Sequence, residues 1–229
     1  MITLRNLMGL DDGHVIECQS GQRLHPEVCA AFSAMQQAAH DDGIDCQLAS
    51  GYRSFSRQFT IWQRKWAGAT TLLDIHEQPL EFDQLTAHDK LHAILTWSAL
   101  PGTSRHHWGT DFDVYDRVSI QQCGASLQLL RSEYEAPDGP CHALNQWLDK
   151  HAKRFGFIRP YLAYCGGVAA EPWHLSYQAL AEQYSMLFDI NQLKNVLYEH
   201  NIPGLDTIGP ELKHIYQRYV LNKGHNSAT

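Results

Sequence analysis

No stretch of this sequence approaches the roughly 18 consecutive apolar residues of a membrane-spanning helix, so no span is expected. The opening residues, MITLRNLMGLDDGH, also lack a long apolar run. No secretion signal is visible there, and a cytoplasmic location is the expectation, or a periplasmic one if the N-terminus was trimmed. There is no basic excess either. Lys and Arg total 18 against 25 Asp and Glu, a net charge of −7, which argues against a general nucleic-acid binder because that function needs a positive surface. No C-x-x-C pair occurs among the six cysteines, Cys18, Cys29, Cys46, Cys123, Cys141 and Cys165. The even count permits three disulfides, but a chain of 229 residues does not need such staples. Reduced, mostly buried thiols are therefore expected. Internal repeats and low-complexity segments are absent as well.

What is present suits one domain with a real core, or one domain plus a small appendage. The chain is 44% hydrophobic and 10% aromatic, with six Trp. Helical spacing of Val28, Ala31, Phe32, Met35, Ala38 and Ala39 predicts a helix over 26–42, opened by Pro26 and stopped by Gly43. Alternation of Ile44, Cys46 and Leu48 predicts a strand over 44–50. Gly51-Tyr52-Arg53-Ser54 turns out of it. Ser54 can cap a helix that carries Phe55, Phe59, Trp62 and Trp66 on one face. Residues 69–85 read as irregular and 86–99 as a helix broken by Pro101-Gly102. A strand is expected at 112–115 and a long loop at 117–140. Beyond these come a helix over 142–155 and strands starting at 157 and covering 173–177. Helices at about 178–187, 190–200 and 210–221 follow, read as a C-terminal extension packed on the domain.

Two short segments carry the chemistry: SRHHWGTDFD at 104–113 and EPWH at 171–174. They supply imidazoles and carboxylates suited to a metal with an open position. His106 and Asp113 are seven residues apart, too far for one helical turn, so a strand or loop must bring them together. Gly109 between them permits a sharp bend. Two imidazoles and one carboxylate would leave zinc with net positive charge, which acidifies a water beside it. Glu171, three residues before His174, offers a carboxylate near the metal that can accept and return a proton. On residue types alone His107 and Asp111 compete with their neighbours as ligands. A histidine in a chain with 14 of them is more often a surface or satisfied core residue, and Asp111 and Asp113 alone would also serve as loop caps.

The pattern S-x-H-x-x-G-x-x-x-D at 104–113 together with E-x-W-H at 171–174 resembles the two signature motifs of the zinc D-alanyl-D-alanine carboxypeptidase and dipeptidase family (peptidase family M15), which cleaves bacterial cell-wall peptides. Ser-Gly-Tyr-Arg-Ser at 50–54 resembles that family's third landmark, and the three stand in the family's order across about residues 25–177. The resemblance implies that His106, Asp113 and His174 bind zinc, that Glu171 is the catalytic base, and that Arg53 steadies the scissile carbonyl as negative charge builds. Ser104 and Gln58 match positions that line the substrate cleft. One departure is Asp111, where the family usually has a small residue.

The fold implied is α+β, a small antiparallel sheet flanked by helices (hedgehog/DD-peptidase-like). Residues 1–177 would form the catalytic domain and 178–229 the helical extension. The function implied is zinc-dependent carboxypeptidase action on D-alanyl-ending peptidoglycan stem peptides. The rivals within the same chemistry are a D-alanyl-D-alanine dipeptidase and an L-alanyl-D-glutamate endopeptidase. A rival of another class is a zinc-stabilised binding module without catalysis, against which Glu171 and Arg53 argue, since a structural zinc site needs neither.

Overall fold

A computed structural model describes residues 2–124 and 126–223. A short helix α1 (Leu4–Leu7) leads into a hairpin of β1 (Ile16–Gln19) and β2 (Gln22–Leu24). Helix α2 (Pro26–Asp41) follows, with Pro26 in its first turn and the His25 ring accepting the Glu27 N–H. It buries Val28, Phe32, Met35 and Ala39 on one stripe. After β3 (Cys46–Ser50) comes α3 (Phe55–Trp66), capped by the Ser54 hydroxyl, which accepts the Arg57 N–H. Helix α4 (Ala87–Trp97) opens on a reciprocal cap between Thr86 and Asp89. A 3-10 turn, Arg105–Trp108, then closes on Gly109 at φ +68°, a conformation glycine adopts without strain.

The chain continues through β4 (Asp111–Asp116), α5 (Arg117–Gln122), α6 (Arg131–Glu135), α7 (His142–His151), β5 (Phe157–Ile158) and β6 (His174–Tyr177). Three helices end the described chain: α8 (Gln178–Leu187), α9 (Ile190–Glu199) and α10 (Leu205–Ile215), the last running into a π-helical turn, Tyr216–Val220. None of the described helices is long and apolar enough to cross a membrane.

The main sheet is antiparallel in the order β3-β4-β6-β5. Successive residues of a strand point to opposite faces. Phe112 and Val114 therefore share one face of β4 and pack with Leu48, Leu175 and Phe157 against the apolar stripes of α2 and α7. Phe112 sits edge-on between Phe32 and Phe157, at 5.1 and 5.2 Å between ring centres. The alternate residues, Asp111 and Asp113, take the other face, and both are buried. A second core joins α3 and α4 to α9 and α10 through Trp62, Leu91, Ile94, Leu95, Leu193, Leu197, Ile208 and Leu212. The Trp62 indole N–H also donates to the Pro203 carbonyl at 2.9 Å. The last six residues assigned to the extension, 224–229, lie outside the described residues.

The α+β class agrees with the sequence reading, and three local expectations are corrected. The 117–140 segment is not a plain loop. It contains α5 and α6, each too short for helical periodicity to stand out among the Gly, Pro and charged residues. The Tyr134 hydroxyl pins it to the sheet by donating to the Val114 carbonyl at 2.8 Å. The last helix begins at Leu205, not 210, and carries Pro210 inside it, so the proline does not mark a start. Finally, Cys18 and Cys29 form a disulfide, because the hairpin brings β1 against the first turn of α2 with the two Cα atoms 5.5 Å apart. Cys46 and Cys141 are buried free thiols, and Cys123 and Cys165 are exposed ones.

Two outcomes follow. Titration of the unfolded protein with a thiol reagent is expected to find four free thiols without reductant and six after reduction. Phe112→Ala, which empties the centre of the sheet–helix core, is expected to cost about 3–5 kcal/mol in urea unfolding.

Candidate metal centre and active site

The antiparallel register sets Asp113 directly opposite His174, and Asp111 directly opposite Ser176. His106 arrives from the 3-10 turn that precedes β4. The three expected ligands, His106, Asp113 and His174, thus meet, each buried, with one ligand atom apiece lying within 4.8 Å of the others. His106 Nε2 is 3.5 Å from an Asp113 oxygen, and His174 Nδ1 is 3.0 Å from the other. Both imidazoles are oriented from behind. His106 Nδ1 is 2.9 Å from the Gly51 carbonyl and donates to it, which leaves Nε2 as the free electron pair. His174 Nε2 lies 3.2 Å from Asp111 and donates to it, which leaves Nδ1 facing the centre. Two imidazoles and a carboxylate, fixed in these tautomers at this spacing, fit a zinc ion with one position open.

Asp111, the departure from the motif, is therefore not idle. It is fully buried and accepts three hydrogen bonds: from His174, from Arg105 Nε at 2.6 Å and from the Thr110 hydroxyl at 2.6 Å. Burial pushes its carboxyl up, but the Arg105 guanidinium and these hydrogen bonds outweigh burial and hold it well below the usual range. Arg105 also donates to Ser176 Oγ at 2.7 Å, so one guanidinium spans both strands at the 111–176 pair. Burial alone would lower His174. Its contacts with Asp111 and Asp113 win and raise it to about 9. His106, without that second carboxylate, is pushed down to about 4 by burial.

Glu171 sits at the mouth of a tight turn in which the His174 N–H donates to the Glu171 carbonyl at 3.0 Å. Its carboxylate comes within 3.8 Å of His174 Nδ1. Burial raises it to about 7, near the pH at which a proton acceptor works best. Arg53 lies across the cleft. Its guanidinium donates to Gln58 Oε1 at 2.9 Å and more distantly to Ser50 Oγ at 3.3 Å.

His107 explains how Arg53 is held. Its Nδ1 donates to the Arg53 carbonyl at 2.6 Å, and its Nε2 accepts the Gly102 N–H at 3.2 Å. Burial pushes this ring down to about 3, so it is a neutral clamp and not a ligand.

The centre opens into a cavity of about 340 Å³, large enough for a dipeptide-sized ligand and lined by Arg53, Ser104, His106, Asp113, Glu171 and His174 among others. Ser104 stands where the motif put it. Gln58 does not line this cavity. It is fully buried behind Arg53, with its amide nitrogen donating to the Ala99 carbonyl at 2.7 Å. The sequence reading missed Lys65, which lines the cavity and donates to Ser98 Oγ at 2.7 Å. Burial lowers its ammonium to about 8. The available signal was its place two turns after Gln58 on the same face of α3. The reading also missed Tyr219 and its neighbours Ile215 and Val220, through which the C-terminal helices wall the cavity.

An α+β fold with two histidines, an aspartate, an adjacent glutamate and an opposing arginine in one cleft defines a metal-dependent hydrolase. Residues 21–180 match the family model described as VanY, D-alanyl-D-alanine carboxypeptidase, and the chain belongs to that family. A D-alanyl-D-alanine carboxypeptidase of Enterococcus faecalis is 28% identical over 169 residues, which cover 72% of this chain and 52% of that relative. Two solved structures share the fold at a TM-score of 0.52 and 26% identity. One is a variant of the vancomycin-resistance D,D-pentapeptidase VanY in complex with Zn(II), covering 79% of this chain and 89% of that one. The other is VanYB in complex with D-alanine-D-alanine, covering 81% and 90%.

Asp111→Ala is expected to weaken zinc binding about 10- to 100-fold, measured by competition with a chromophoric chelator, because His174 loses the acceptor that fixes its ring. A proton must leave His174 before a metal can bind. The same competition should therefore show affinity rising with pH from 6 to 8, below the raised value of about 9.

Proposed function

We propose that this protein is a zinc-dependent carboxypeptidase that removes the terminal residue from D-alanyl-ending peptides of the peptidoglycan type. His106, Asp113 and His174 hold the metal, and Glu171 and Arg53 do the work around it. The observation that carries the reading is the position of Glu171, 3.8 Å from His174 Nδ1 yet outside the His106, Asp113 and His174 cluster, in the lining of the same cavity as Arg53. A site built only to stabilise a fold needs neither group.

Zinc, when bound, polarises the scissile carbonyl and acidifies a water beside it. Glu171, raised to about 7, takes the proton from that water and returns it to the departing amine. Arg53 presents a fixed positive charge to the oxygen on which negative charge develops. Gln58 acts through Arg53, holding the guanidinium in place, and Ser104 offers a hydroxyl to the substrate backbone. Lys65 supplies a cation for a free terminal carboxylate, which favours removal of a last residue over cleavage within a chain. Residues 1–177 supply every catalytic group, and the helices after them wall the cleft.

The chemistry of the cysteines bears on location. The sequence alone suggested the cytoplasm. The Cys18–Cys29 disulfide favours an oxidising compartment such as the periplasm, where peptidoglycan is also found.

Glu171→Gln is expected to keep its zinc, counted by elemental analysis, and to lose turnover by about 10²- to 10⁴-fold. Normal turnover in that variant would remove Glu171 from the mechanism. Mass spectrometry of a panel of D-alanyl-D-alanine, tetrapeptide and pentapeptide stems and intact muropeptides is expected to show loss of one terminal D-alanine from the pentapeptide. Cleavage of none of them would support the binding-module reading instead. Lys65→Ala should raise KM about tenfold or more with a smaller change in kcat, matching loss of a charge-assisted hydrogen bond. An unchanged KM would free Lys65 of that role.

A further inference from the structure

A second group of metal-type ligands lies where the C-terminal helices meet α4. His88 and His92 are four residues apart on α4, so their rings lie together on one face, with centres 4.4 Å apart and planes tilted at 54°. Glu211 projects from α10 onto both. One of its oxygens is 3.5 Å from His88 Nε2 and the other 3.1 Å from His92 Nε2. One ligand atom from each of the three lies within 4.8 Å of the others. A tetrahedral zinc with bonds of about 2.0–2.1 Å sets its ligand atoms about 3.3–3.4 Å apart, close to these spacings.

The surroundings favour ligation over a plain hydrogen-bonded contact. His92 Nδ1 lies 2.8 Å from the Tyr219 hydroxyl, which can take its N–H and leave Nε2 with a free electron pair toward Glu211. Among the described residues, the only side-chain ion-pair partners of Glu211 are these two imidazoles. The nearby Arg218 turns its Nε to the Gly166 carbonyl at 2.7 Å.

We propose that His88, His92 and Glu211 form a second divalent-metal site of the zinc class, distinct from the catalytic cleft, that clasps α10 to α4. Water completes the coordination, since His88 is exposed and the site opens to solvent. The clasp has a route to the cleft. Tyr219 backs His92 on one side and lines the substrate cavity on the other, beside Ile215 and Val220. Metal bound between α4 and α10 therefore fixes one wall of the cleft without touching the reacting groups.

The site is tested on the full chain by equilibrium dialysis against about 10 µM free zinc, with zinc per chain counted by elemental mass spectrometry. Wild type is expected to hold two zinc ions, and His88→Ala and Glu211→Gln one each. His106→Ala is also expected to hold one, and it loses that one when His88→Ala is added. His88 is exposed, so His88→Ala is the variant least exposed to a folding defect. Cobalt substitution gives a second readout: in the His106→Ala background, the visible bands of the remaining cobalt should vanish on adding His88→Ala. A zinc count that does not fall by one when His88→Ala or Glu211→Gln is added, whether to wild type or to His106→Ala, would overturn the proposal. Because the count does not depend on turnover, it stands or falls separately from the peptidase reading.

Discussion

The site depends on one pairing in the sheet, Asp113 across from His174. That register puts a carboxylate and an imidazole on the buried face of neighbouring strands and leaves their other faces to Phe112 and Leu175 in the core. A slip by one residue would turn Asp113 and His174 into the apolar layer and Phe112 and Leu175 into the cleft. The packing of Phe112 between two phenylalanine rings thus holds Asp113 and His174 in place as surely as any contact in the site. Fold stability and site geometry are set by alternate residues of the same six-residue strand.

Charge follows the same geometry. Three carboxylates, Asp111, Asp113 and Glu171, crowd a small volume together with Arg53, Arg105 and His174. Buried charges persist only when paired and hydrogen-bonded. Their environments separate them by role. Asp111 is locked ionised by Arg105 and serves as the fixed acceptor behind His174. Glu171 lacks such a partner, is raised by burial and is left able to exchange a proton. Two chemically similar groups, both beside His174, are thereby given opposite duties.

The parts legible in the sequence were those where spacing carries chemistry. The helix at 26–42 and the one opening at Ser54 could be read because periodicity and caps agree along a short stretch, and the residues that the family resemblance singled out, His106, Asp113, His174, Glu171 and Arg53, line one cavity. The 44–50 and 112–115 strands followed from alternation. The parts that stayed hidden depend on contacts between distant segments. Asp111 looked like an anomaly because its partner Arg105 is only explained once Ser176 lies across the sheet. Lys65 went unread because its only signal was a spacing of two turns from Gln58, and no motif residue marks it. The Cys18–Cys29 bond rests on a hairpin too short to register as strands. Gln58 had the right neighbourhood but the wrong distance, since only the fold shows it behind Arg53.

The His107 clamp ties the active-site arginine to a place where no chemistry occurs. Gly9, at φ +73° beside the first helix, lies so close that a β-carbon there would collide with the His107 ring and with the Phe55 backbone nitrogen. Phe55 N–H itself donates to the Gly9 carbonyl at 2.8 Å. The bend at Gly9 therefore sets how closely the N-terminal segment packs on His107 and on the loop that carries Arg53. Insertion of a single side chain at position 9 would be felt as a displaced guanidinium. A change at this N-terminal bend is thus opposed twice, by a left-handed backbone and by crowding against His107 and Phe55, and the second of these reaches the loop that carries Arg53.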